Sequence, residues 1–215
     1  MMTTEDEGLA ELKDKMSTAI SILHWELADM LGHVSVRTPD RKHLLLRFLR
    51  APIDPSIPED DVLTFDYDGN WVSGRREPGR ADTKVKGPGL ELYFHTYPYK
   101  AREDVGAVIH VHPMMVVALT ATGKKICAFQ HRQKFGKGVP VTPWLWGSSA
   151  EDAERATKAM GESCAVIIEG HGAIVTGKTL EEACINAVQL ERAAKMIMLA
   201  GSLGEVKPVP DAAVE

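Results

Sequence analysis

Hydrophobic positions change their spacing along this chain, and the changes mark its elements. Met16, Ala19, Ile20, Leu23, Leu27 and Met30 recur every three or four residues. That spacing predicts an amphipathic helix, with Gly32 as its C-terminal cap. Shorter runs rich in β-branched residues follow. Segments 34–36, 44–48, 61–66 and 70–73 read as strands, the last two joined at the turn Asp68-Gly69, and the proline-rich stretch 51–58 is a loop. Farther on, 107–112, 165–168 and 173–175 are apolar enough for buried strands. Segment 90–97 follows Gly87-Pro88-Gly89 and reads as a helix. Ser148-Ser149-Ala150-Glu151 and Thr179-Leu180-Glu181-Glu182 carry capping-box patterns, the second opening a long helix that ends near Gly201. Strands and helices alternate, which predicts an α/β domain.

Composition narrows this picture. With 215 residues, 44% of them hydrophobic and 26% charged, the chain can bury one sizeable core without disulfides. One domain over 9–204 is expected, with a loose acidic N-terminus at 1–8 and a loose tail at 205–215. A net charge of -5 leaves no basic footprint, so nucleic acid and membrane surfaces are not expected partners and a small-molecule substrate is. Cys127, Cys164 and Cys184 show no Cys-x-x-Cys spacing and leave one thiol over however they pair. That usage suits a reducing compartment, and no start of signal-peptide type or bilayer-length apolar run is present, so a cytoplasmic protein is expected.

The chemistry concentrates in histidines. His110 and His112 are two apart on an expected strand, so both project from the same face. Burying two imidazoles together is costly unless both are hydrogen-bonded or share a cation. Two core histidines bonded to carbonyls would have the same spacing, but His171 adds a third imidazole between two apolar runs. Its flanking Gly170 and Gly172 permit a tight, closely approaching backbone. Glu91 and His95, four residues apart, are expected on one helical face. Three imidazoles and a carboxylate describe an open catalytic metal site rather than a closed structural one.

Four blocks carry a resemblance: Gly32-His33-Val34-Ser35-Val36-Arg37, Glu91-Leu92-Tyr93-Phe94-His95, the run 107–113 ending His110-Val111-His112-Pro113, and Gly170-His171-Gly172 followed by Thr179-Leu180-Glu181-Glu182-Ala183. In this order they resemble the class II aldolase/adducin family. The resemblance implies a single three-layer α/β/α domain around a mixed, largely antiparallel sheet. It also implies one divalent ion per subunit, held by His110, His112 and His171, with Glu91 as the acid/base group. Zinc is the first choice for that ion and manganese or cobalt the alternatives. A homotetramer with sites at subunit interfaces is implied as well.

The sequence departs from the sugar-phosphate members of that family. Where they carry an asparagine and a serine pair, this chain has His33 and Gly89-Leu90, so donors that grip phosphate are missing. The remaining donors His33, Ser35 and Arg37, with Lys84 and Lys86, would orient a carboxylate or phenol. The alternatives are a surface Arg37 at a strand end and solvated loop lysines. A count that reaches a neighbouring subunit's proton-donating tyrosine in the family's aldolases reaches His131 here. It is a candidate acid or, equally, a surface histidine in a basic loop. The expected function is a carbon–carbon lyase: aldol cleavage or addition on a non-phosphorylated hydroxy-carbonyl compound through a metal-stabilised enolate. Decarboxylation of a hydroxylated aromatic or heteroaromatic acid is the alternative. An adducin-like interaction module is the third reading, and it would need the metal set to be lost.

Overall fold

Side chains that alternate across the strands sort the core into two layers, and this sorting builds the domain. In the computed structural model, residues 4–49, 62–74, 91–127, 135, 138–207 and 209–210 are described. The elements run α1 (Thr4–Leu27), β1 (His33–Arg37), β2 (His43–Phe48), β3 (Leu63–Asp66), β4 (Trp71–Ser73), α2 (Tyr93–Ala101), β5 (Ala107–Val111), α3 (Met114–Thr120), β6 (Val141–Thr142), α4 (Ala150–Met160), β7 (Ala165–Ile168), β8 (Gly172–Gly177) and α5 (Leu180–Gly201). The strands form one sheet in the order β4-β3-β2-β1-β5-β8-β7-β6, antiparallel except for the parallel pair β6 and β7. Ala107, Ile109 and Val111 of β5 face the layer of α1, α3 and α5. Val108 faces the layer of α2 and α4. The expected three-layer α/β/α domain with a mixed, largely antiparallel sheet is therefore present.

One expectation at the first helix is corrected. Helix α1, from Thr4, ends at Leu27 rather than running to Gly32. Ala28 takes a left-handed backbone (φ 52°) with its N–H on the His24 carbonyl, and Met30 lies exposed beyond the break. Gly32 has another task. A Cβ there would sit 2.4 Å from the His110 carbonyl oxygen, so only glycine lets this turn approach β5. The cap at Thr179 holds, accepting from Glu182 N–H, whereas α4 is capped one residue later than the Ser148 to Glu151 box, by Ser149 accepting from Asp152 N–H. Helix α3, which the hydrophobic spacing did not reveal, starts directly behind Pro113.

Arg37 is buried, contrary to the surface alternative, and its guanidinium is engaged by backbone carbonyls. Its Nε donates to the Val105 carbonyl at 2.6 Å and its Nη2 to those of Tyr99 and Arg102 at 2.6 and 3.0 Å. The guanidinium lies over the rings of Tyr67 and Tyr99. It pins the loop before β5 and the end of α2. Arg37→Ala would strand three carbonyls, so a loss of about 3 kcal/mol is expected in urea denaturation. A loss under about 1 kcal/mol would refute this structural role.

The turn after β5 is held from both sides by carboxylates. Glu191 on α5 accepts from the N–H groups of Met115 and Val116, and Asp29 accepts from that of His112. Among the described residues, no helix is long and apolar enough to cross a membrane.

Candidate metal centre

Strand β5 delivers two imidazoles to one point because its alternate residues share a face. The rings of His110 and His112 lie 4.7 Å apart between centroids. His171 arrives from the hairpin turn between β7 and β8. Gly170 there has φ 67°, and a Cβ on Gly172 would come within 2.4 Å of the Val111 carbonyl oxygen. Both glycines are thus required, for different reasons. Glu91 sits before α2, with φ 56°, rather than within it. It therefore does not share a helical face with His95, which corrects that expectation. The left-handed turn instead swings the carboxylate over the imidazoles, with Oε1 3.1 Å from His171 Nε2 and Oε2 3.1 Å from His110 Nε2.

Four donor atoms, one each from Glu91, His110, His112 and His171, lie within 4.8 Å of one another. The outer nitrogens of the three rings are all engaged. His110 Nδ1 meets the Ala173 carbonyl at 3.1 Å, His171 Nδ1 that of Leu145 at 2.7 Å, and His112 Nδ1 a carboxylate oxygen of Asp29 at 3.3 Å. Since carbonyls and carboxylates only accept, each Nδ1 carries the proton and each Nε2 presents a lone pair inward. His110 Nε2 is buried without an aligned hydrogen-bond partner. Facing the Glu91 carboxylate at 3.1 Å, that nitrogen is available to a cation, and the four donors together could hold a divalent ion.

Electrostatics agree with the geometry. Burial pushes the Glu91 carboxyl up, but the His110 and His171 imidazoles outweigh it and hold the group well below the usual carboxylate range. Burial lowers His110, and it would lower His171 too, but the bonds to Glu91 and the Leu145 carbonyl raise that imidazole instead. For Asp29 burial is again opposed, here by the His112 ring and two backbone N–H groups, and the carboxyl falls to about 2.

Behind the cluster runs a buried polar file. His33, opposite His110 in the sheet, stacks on it at 5.9 Å between centroids. Ser35 Oγ lies 2.7 Å from His95 Nδ1 and 2.9 Å from Tyr99 Oη. Of the three expected substrate-binding residues, His33 thus borders the cluster, Ser35 lies behind it, and Arg37 is spent elsewhere. His131, Lys84, Lys86 and Gly89-Leu90 lie outside the described residues. Sequence reading missed Asp29, the buried role of His95, and the exposed pair Trp144 and Trp146, whose rings meet at 4.4 Å beside the Leu145 carbonyl that holds His171.

Burial without charge makes these imidazoles acid-sensitive. Desolvation holds His33 down to about 3 and His95 well below its ordinary value. Both are neutral when folded and bind a proton on unfolding below pH 6.5. Their contribution is therefore complete above that pH and is lost as pH falls toward the folded values. From pH 6.5 to 4.5 metal-free protein should lose stability as pH falls, by up to about 1.4 kcal/mol per pH unit for each imidazole that stays neutral in the fold. Chemical denaturation across that window checks it, and a flat profile refutes it.

The family model described as the class II aldolase and adducin N-terminal domain matches residues 18–198. The chain belongs to the class II aldolase and adducin family. Its relatives in that family include aldolases and decarboxylases. An L-fuculose phosphate aldolase of Methanocaldococcus jannaschii is 29% identical over 174 residues, covering 78% of this chain and 84% of that one. Similarity to a 3,4-dihydroxyphthalate decarboxylase of Arthrobacter keyseri is 29% over 215 residues, covering 94% and 84%. A second 3,4-dihydroxyphthalate decarboxylase, from Terrabacter, is 31% identical over 183 residues, covering 81% and 74%. Among solved structures, an L-fuculose 1-phosphate aldolase of Glaciozyma antarctica superposes with a TM-score of 0.76 at 23% identity, covering 99% and 81% of the two chains. That likeness establishes the fold. Class II aldolases use a divalent metal, and the Glu91, His110, His112 and His171 cluster is suited to one.

Proposed function

We propose that this protein is a divalent-metal-dependent carbon–carbon lyase working through an enolate, with aldol cleavage or addition on a non-phosphorylated hydroxy-carbonyl compound as its reaction. The observation that carries this is the convergence of three Nε2 lone pairs with the Glu91 carboxylate at one partly open point. His110, His112 and His171 would hold the ion, which when bound supplies Lewis-acid stabilisation of negative charge on a substrate oxygen. Glu91 moves the proton. Ionised at neutral pH, it can accept one from a hydroxyl or return one to the enolate carbon. The fully buried His110 forms the floor, while His112, His171 and Glu91, partly exposed, face the substrate's approach.

Decarboxylation of a hydroxylated aromatic acid is a second reading, favoured by two observations. Trp144 and Trp146 offer exposed aromatic surface at the rim beside His171, suited to a flat ring. In addition, loss of carbon dioxide needs one reprotonation at carbon, for which Glu91 can return the proton it takes from the substrate's hydroxyl. Purified protein supplied with zinc or manganese and assayed against hydroxy-carbonyl compounds and hydroxylated aromatic acids separates the two. Aldehyde release supports the first reading and carbon dioxide release the second. Inactivity toward both panels counts against the lyase reading. We further propose a closed homo-oligomer; a fully active monomer in sedimentation would refute it.

A further inference from the structure

We infer that Asp29 is a positioning residue for the metal ligand His112, acting from the far side of its ring. The carboxylate is 3% exposed and reaches the site from the break after α1, far away in sequence. Its Oδ2 accepts from the His112 backbone N–H at 2.6 Å and stands 3.3 Å from His112 Nδ1, while Oδ1 accepts from the Leu31 N–H at 2.9 Å. One oxygen thus fixes both the backbone and the ring of the same residue. That contact keeps the proton on Nδ1 and leaves Nε2 as the inward lone pair.

The surrounding chain is shaped to bring this carboxylate in. The left-handed Ala28 turns the chain out of α1 just before Asp29. At Gly32 a Cβ would come 2.9 Å from Asp29 Oδ2, so glycine there leaves room for the carboxylate. Among the described residues, the only ion-pair partner of Asp29 is the His112 imidazole, itself charged only when protonated. Two backbone N–H groups and the ring together hold this buried carboxylate, and a cation on the opposite nitrogen of the same ring would strengthen its bond to Nδ1–H. A Leu31 turn alone would need only one oxygen and would leave the shorter contact to His112 unexplained.

The inference rests on the metal reading of His110, His112 and His171, so the experiment includes a ligand variant. Full-length wild type, Asp29→Asn and His171→Ala, stripped of metal, are titrated with Co2+ below their melting temperatures, with affinity and visible spectrum recorded. Asn can still accept from His112 but lacks the charge and cannot also accept from Leu31. Asp29→Asn is expected to bind Co2+ tenfold to a hundredfold more weakly and with an altered spectrum. Asp29→Ala, where it folds, should weaken binding further, and long-range nitrogen–proton NMR should then show His112 carrying its proton on Nε2 in part of the molecules. A lower melting temperature with wild-type Co2+ affinity and spectrum would make Asp29 purely structural and overturn the inference. In that case loss of binding in His171→Ala would leave the metal reading standing. Wild type that binds no Co2+ would overturn both.

Discussion

Replacing Glu91 by Gln should reduce turnover by roughly a hundredfold or more while the bound metal stays in place. The amide keeps the shape of the side chain, and Gln tolerates the left-handed backbone at φ 56° about as well as Glu does. Three imidazoles remain to hold the ion, but an amide cannot cycle a proton. In the metal-free protein Glu91 is held well below the usual carboxylate range and the His171 imidazole is held up, so a pH profile alone would not isolate Glu91. Metal content and rate measured on one preparation decide the matter. Metal lost along with activity would make Glu91 a structural ligand, and activity kept with metal would remove it from the mechanism.

The parts of this site that share one local element were legible in the sequence. His110 and His112 needed only the two-residue period of a strand, and His171 only the glycines that make its turn possible. What depended on chain reversal was not. Helical spacing carried through Met30 suggested a helix up to Gly32, yet Ala28 ends it in a conformation that alanine rarely adopts and no local pattern announces. The same holds for Glu91, whose spacing to His95 looked helical although the helix begins two residues later. Asp29 was invisible because its partner is 83 positions away. Arg37 was ambiguous because a polar residue alternating with apolar ones reads as outward-facing until a second helical layer covers that face. Helix α3 left one usable signal, a proline immediately before an apolar run.

Removing the third imidazole should separate the metal's contribution to stability from that of the fold. His171 lies on a turn and is only 13% exposed at its side chain, but its ring is held by one carbonyl and by Glu91 rather than by core packing. His171→Ala should therefore fold, since the strands on either side of the turn keep their ladder. Metal content should drop close to zero. In the wild type, an ion present at a thousandfold excess over its dissociation constant adds about 4 kcal/mol to stability, and chelation removes it. The variant should show almost no difference between metal-loaded and chelated melts. The metal-free variant should also lie close to the metal-free wild type, because the contact between Glu91 and His171 is partly open to solvent and contributes little net energy. Equal metal content in the two proteins would refute His171 as a ligand. A variant that melts far below metal-free wild type would mean that this turn is held by the imidazole itself.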